Sequence, residues 1–242
     1  MTAIVDRRQI LDFRLAGHNL SLPAASLGVA AGACGLQDTP PGSAVQGLHA
    51  WVPDASPDDV DGAIAETKEL IVVWSRRGSS HLVPTEDLTV FTLGLMPTTE
   101  EGWRSAIAGF VAILDRHGMS ATEIVRLTVE AVHDALDGRE LTKRALGSAL
   151  RPHMPTALQP WFDDQTFSEF TAVLTRAASL TGDLCVTPRR GNEATFALTD
   201  QWLGHVRPEA DPAVQRLELL RRFLRCSHRR RSMTSPPGPA SR

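Results

Sequence analysis

The sequence predicts a mainly α chain with small β-hairpins, an α+β fold built as two successive units of helices followed by a hairpin. Three observations predict it. Apolar residues recur at helical spacing through most of the chain, two runs of strand-forming residues each close on an Arg-Arg-Gly turn, and each run follows a set of helices. Helix, helix, helix, hairpin is the element order of a winged helix, so tandem winged helix-turn-helix domains are expected.

In the first half, residues 5–18 read as a helix, and SLPAASLGVAAGACGLQ has the small side chains of a tightly packed one. A further helix restarts in DTPPGSAVQGLHAWV, with Pro40 and Pro41 in its first turn and Asp38 or Thr39 as its cap. SPDDVDGAIAETKE announces another. Ser56 caps it, Pro57 fits its first position, and the acidic residues that follow suit the positive end of the helix dipole. Then LIVVWSRRGSSHLVP places β-branched residues on either side of Arg76-Arg77-Gly78-Ser79, the composition of two strands and a tight turn.

The second half repeats the plan. Ile107, Phe110, Val111 and Leu114 share one helical face, with Gly118 where a left-handed C-cap belongs. Val125, Val129, Val132 and Leu136 define the next helix, and Thr142 caps LTKRALGSALRPHM. Phe167, Phe170, Leu174 and Ala177 stripe a last helix that ends at Gly182. The second hairpin, DLCVTPRRGNEATFALTD, turns on Arg189-Arg190-Gly191-Asn192. The recurrence of Arg-Arg-Gly after a similar set of helices reads as an internal duplication. The expected organisation is one unit over 1–98, a second over 99–206, a first helix of an incomplete third over 207–225, and a disordered basic tail over 226–242, where composition shifts abruptly to Arg, Ser and Pro.

Composition narrows the function classes. Three cysteines, Cys34, Cys185 and Cys226, without a C-x-x-C pair signal neither a disulfide framework nor a zinc site, and His133, His153 and His205 show no ligand spacing, so no metal is expected. No phosphate-binding glycine loop or nucleophile elbow is present, and no cofactor is expected. No apolar run reaches the ~18 residues of a membrane span, so a cytoplasmic, nucleoid-associated monomer with no membrane partner is the expectation. With a net charge of −3, any polyanion-binding surface has to be concentrated locally.

The arginines supply that concentration. Arg76, Arg77, Arg189 and Arg190 at wing tips, with Ser79, His81 and Asn192 beside them, suit phosphate or minor-groove contact, the alternative being solubilising charge. Thr142, Lys143 and Arg144 open a helix whose backbone N–H groups can receive a phosphate, the alternative being ordinary solvated charge. For His81 packing beside Trp74 is the competing role. Trp51, Trp103, Trp161 and Trp202 read as core or interdomain anchors.

Four segments, GLQDTPPGSAVQGLHAWV (35–52), RRGSSHLVPTEDL (76–88), LTKRALGSAL (141–150) and GDLCVTPRRGNEATFALTDQWLG (182–204), resemble the winged-helix DNA-binding family that includes the AlkZ/YcaQ-type bacterial DNA glycosylases. A fifth, AVQRLELLRRFLR (213–225), is similar to the family's helix leading into a third winged helix. The resemblance runs over roughly residues 5–225 and stops near Arg225, so the chain reads as C-terminally truncated relative to the family. It implies duplex DNA as partner and base removal, in DNA repair, as chemistry. The family carries Gln-x-Gln or Gln-x-Asp in its first domain. The matching positions are Gln37-Asp38-Thr39, which makes these three the candidate catalytic residues and leaves a hydroxyl at the second motif position. In an extended segment neighbouring side chains face opposite ways, so Asp38 joins Gln37 only through a turn. The implied enzyme is a DNA N-glycosylase removing alkylated purines. The competing functions are a transcription regulator reading a defined operator and an inactive truncated paralogue.

Overall fold

A computed structural model of the chain describes residues 6–162, 169–191 and 193–227. The first half comprises α1 (Arg7–Gly17), α2 (Leu27–Gly32), β1 (Leu36–Gln37), α3 (Ser43–Trp51), α4 (Pro57–Ala65), β2 (Leu70–Trp74), β3 (Ser80–Pro84) and α5 (Leu88–Phe91). The second comprises α6 (Glu100–Ala106), α7 (Val111–Arg116), α8 (Ala121–Leu136), β4 (Leu141–Thr142), α9 (Lys143–Leu150), α10 (Glu169–Ser179), β5 (Leu184–Arg190), β6 (Glu193–Leu198) and α11 (Thr199–Leu203). The helix α12 (Pro212–Ser227) follows.

The six strands form one antiparallel sheet in the order β1-β3-β2-β5-β6-β4. Each half contributes a hairpin and a two-residue strand that runs directly toward a helix, β1 ahead of α3 and β4 ahead of α9. The order helix, short strand, helix, helix, hairpin therefore occurs twice. The first strands of the two hairpins meet at Val72–Val186, so the hairpins are halves of one sheet.

Strand alternation then divides the apolar residues between two faces. Leu70, Leu82 and Leu36 pack under α2, α3 and α4 with Ala30, Leu48 and Val60. On the same face Leu184, Phe196 and Leu198 pack under α8, α9 and α10. The opposite face carries Ile71, Val73, Val83, Cys185 and Ala197, all buried, against Leu88 and Phe91 of α5 and the half-buried Trp202 and Leu219. That third cluster draws on both halves and binds them together.

Local signals explain most element ends. Ser56 and Asp59 form a reciprocal capping box at α4, and the Thr142 hydroxyl accepts from Ala145 N at α9. Gly182, at φ +86°, is approached so closely that a Cβ would lie 2.6 Å from Arg207 Nη1. Its carbonyl accepts from that guanidinium and from the Thr199 hydroxyl, which pins the entry to β5.

Several expectations are corrected. The helix expected through Ile107, Phe110 and Leu114 is broken into α6, a short 3₁₀ turn at Ala108–Phe110 and α7, although Ile107 and Leu114 are fully buried. Pro40 and Pro41 precede α3 rather than opening it. Its N-cap is Gly42 at φ +91°, and the Asp38 carboxylate reaches in from four residues upstream. The tight turn expected at Arg76–Ser79 is present, as a 3₁₀ turn over Arg76–Gly78 with Arg77 in the left-handed region. The tail expected from 226 begins inside α12, since Cys226 and Ser227 belong to that helix; residues 228–242 lie outside the described residues, as do Phe167 and the side chain of Phe170.

Glu100 ties α6 to the start of α8. It accepts from the Thr122 hydroxyl (2.7 Å), Thr122 N (2.9 Å) and Ala121 N (2.8 Å), and these bonds hold its carboxyl down to about 2, against an ordinary value of 4.5. A folded-state value below the unfolded one makes this contribution complete above 4.5 and lost as pH falls toward 2. Thermal melts are expected to show the midpoint falling through that window, with Glu100→Gln flattening the fall.

Candidate nucleic-acid interface

Between the two halves, on the sheet face that carries Val72, Trp74 and Phe196, lies a cleft of about 900 Å³. Its floor is aromatic. Trp74 and Phe196 are tilted against each other with ring centroids 5.0 Å apart. Its walls differ in charge: Asp38 and Asp61 come from the first half, and Lys143, Arg176 and Arg189 from the second.

Sequence places each of these side chains by a local device. Asp38 follows β1 and is fixed by a reciprocal pair with β3, its N–H donating to Ser80 O (2.8 Å) and its carbonyl accepting from the Ser80 hydroxyl (2.7 Å). Its Oδ1 then accepts from Gly42 N (2.8 Å) and Ala44 N (3.1 Å), satisfying the open end of α3, while Oδ2 makes no hydrogen bond among the described residues. Thr39 lies beside it, its hydroxyl 3.1 Å from that of Ser80. Asp61 is exposed on α4, one turn beyond the capping box.

On the other wall, Lys143 is the first residue of α9 and Arg176 is on α10 with its guanidinium 5.8 Å from the Trp74 ring centroid. Burial, and then the Arg176 charge, push the Lys143 ammonium below its usual value, with Glu193 acting the other way. The larger cause is burial, so this ammonium stands in partly dry surroundings with a second cation nearby.

The structure brings together Asp38, Thr39, Lys143 and Arg189 of the residues singled out from sequence, and leaves the others elsewhere. Gln37 pairs with His81 and is exposed, one residue out of phase with Leu36, which enters the core on the cleft side of the sheet; Gln37 does not line the cleft. His81 is buried at 3% exposure, and burial lowers its pKa. It does not pack beside Trp74 as expected: Trp74 pairs with Ser80, and His81 opposes Val73 on the other face. At the first tip Arg77 is exposed, but Arg76 turns back and donates to Cys34 O (2.9 Å), and Ser79 Oγ donates to Arg76 O. At the second tip Arg189 and Arg190 are both exposed, and Asn192 lies outside the described residues. Thr142 caps α9, and Arg144, exposed, donates its N–H to Glu193.

Trp74, Asp61 and Arg176 are not marked by the sequence as site residues. Asp61 reads there as a helix-dipole partner, and Arg176 stands among apolar helix positions whose stripe says nothing of a neighbouring unit. Of the tryptophans expected as anchors, Trp103 is buried and Trp51 and Trp202 half-buried, whereas Trp161 is 39% exposed. Among the described residues no group of three or more His, Cys, Asp or Glu is placed to hold a metal ion, and no helix is long and apolar enough to cross a membrane.

The fold has a solved counterpart. The DNA glycosylase AlkZ of Streptomyces sahachiroi superposes with a TM-score of 0.73 at 20% identity, over 93% of this chain and 58% of that one. The chain thus spans little more than half the length of that protein. No curated protein matches the sequence. The family described as DNA glycosylase AlkZ-like matches residues 30–227, from α2 to the end of α12 and across both walls of the cleft. On that match the chain belongs to the AlkZ-like DNA glycosylase family.

Proposed function

We propose that the chain binds duplex DNA through two winged-helix units, over 1–98 and 99–206, and removes alkylated purines from damaged or crosslinked duplexes as an N-glycosylase. The observation that carries this reading is the charge division of the cleft. An N7-alkylated purine is cationic and its departure leaves an oxocarbenium-like sugar, so both suit a carboxylate wall. The flanking phosphodiester suits the wall of Lys143, Arg176 and Arg189. Trp74, half-buried and backed by the fully buried Phe196, offers the aromatic face on which an extruded base stacks. In this reading Asp38, whose backbone is locked to β3, presents its carboxylate to the developing positive charge, and Thr39 helps to position water. Arg77 and Arg190 extend phosphate binding beyond the cleft.

The operator-reading alternative is disfavoured by the helices that precede the hairpins, which in a winged helix enter the major groove. Here α4 exposes Asp58, Asp59 and Asp61, which repel phosphate, and α4 and α10 pack across onto strands of the opposite half. Neither helix is presented as a reader of bases.

The test is incubation of purified protein with N7-methylguanine-containing duplex, with release of the free base expected and its absence removing the enzymatic reading. Duplex binding titrated against salt separates the DNA-binding reading from catalysis. The Lys143→Ala and Arg176→Ala double variant is expected to flatten the slope of log K against log salt by about 1 for each phosphate it no longer neutralises. An unchanged slope would remove these two cations from the interface.

A further inference from the structure

Beside Arg76, and outside the cleft lining, two cysteines distant in sequence are brought near each other. Cys34 follows α2 and is half-buried, and Cys226 is buried in the last turn of α12. Both are free thiols. The backbones carrying them are clamped together, since Arg222 of α12 donates to Gly32 O (2.9 Å) and pairs with Asp87. Cys226 Sγ is 3.4 Å from Gly17 O and 3.4 Å from Ala33 O, the carbonyl adjoining Cys34. His18 Nε2 bonds to Cys226 O at 2.9 Å.

Arg76 completes the cluster. Its Nη2 donates to Cys34 O (2.9 Å), its Nη1 is 3.9 Å from Cys34 Sγ, and its Nε is buried without a hydrogen-bond partner among the described residues. The hydrogen bond from the Cys226 side chain lowers the Cys34 thiol most, with Arg76 and His18 assisting against burial, to about 6. The same hydrogen bond, with burial, raises Cys226. The surroundings thus favour the anion at Cys34 and the protonated thiol at Cys226, the division of labour that an attacking and a resolving cysteine require. Cys185, fully buried and pushed up to about 12, is a built-in inert control.

We propose that Cys34 and Cys226 are a peroxide-reactive pair, with Cys34 the attacking sulfur and Cys226 the resolving one. The Cys34 sulfur attacks one oxygen of hydrogen peroxide, the O–O bond breaks and hydroxide leaves, giving a sulfenic acid. The Cys226 sulfur then attacks that sulfur, the S–O bond breaks, and the proton from Cys226 departs with the hydroxyl as water. Two thiols are oxidised to one disulfide and one peroxide is reduced to two waters. The bond would staple α12 to the end of α2 and remove the anionic partner of Arg76.

Equimolar hydrogen peroxide followed by thiol counting under denaturing conditions tests this without DNA, so its outcome is independent of the glycosylase reading. The expected result is a fall from three titratable thiols to one, a mass loss of about 2 Da on the intact monomer, and a Cys34–Cys226 crosslinked peptide. Cys226→Ser is expected to leave a dimedone-trappable sulfenic acid at Cys34, and Arg76→Gln to slow oxidation several-fold in a folded protein. Retention of three thiols, a bond involving Cys185, or oxidation at an unchanged rate in Arg76→Gln would overturn the proposal.

Discussion

Arg222→Ala is expected to lower stability by about 3–5 kcal/mol, the usual cost of removing one partner from a largely buried ion pair. The guanidinium donates to both oxygens of Asp87, to Glu218 and to Gly32 O, and it stands 5.8 Å from the centre of the Phe91 ring. Side-chain exposure is 19% for Arg222 and 16% for Asp87, so water replaces little of what is removed. These bonds bring α12 onto α5 and α2 at once, and the variant loosens all three. Chemical unfolding followed by circular dichroism measures the effect, and a loss below about 1 kcal/mol would put the pair in the class of exposed surface bridges. Asp87→Asn is expected to cost less, because its amide oxygen still accepts one guanidinium bond.

Asp38→Asn is expected to reduce base release by about 100-fold with little change in melting temperature. Asparagine keeps the Oδ1 acceptor that serves Gly42 N and Ala44 N, so the end of α3 stays capped and the negative charge is lost alone. Single-turnover release of N7-methylguanine reports the chemical step. Gln37→Ala is expected to have a much smaller effect, because Gln37 is out of phase with the cleft. The opposite ranking would move the chemistry to the other face of the sheet.

Much of the fold is legible where a short-range rule decides the outcome. The capping box at Ser56, the Thr142 cap, the left-handed Gly118 and the two hairpins all depend on residues within a few positions of one another. The broken helix around Ala108–Phe110 is not, because its apolar spacing is the same whether or not the backbone tightens for a turn. Nor is the cleft, since bringing Asp61 and Arg176 to its two walls depends on how the two halves dock. The family motif points to Gln37-Asp38-Thr39 as a block, whereas strand pairing separates it, with Asp38 and Thr39 on the cleft and Gln37 away from it.

The Val72–Val186 junction has a consequence for how the chain can be divided. Leu70–Trp74, the stretch LIVVW, is uncharged, rich in β-branched residues and interior to the sheet only because β5 lies along it. Severed near residue 98, the first half would present that strand as an open edge, a template for pairing with another copy of itself. Covering this adhesive edge makes each half the other's protection against self-association, whatever either half does with DNA.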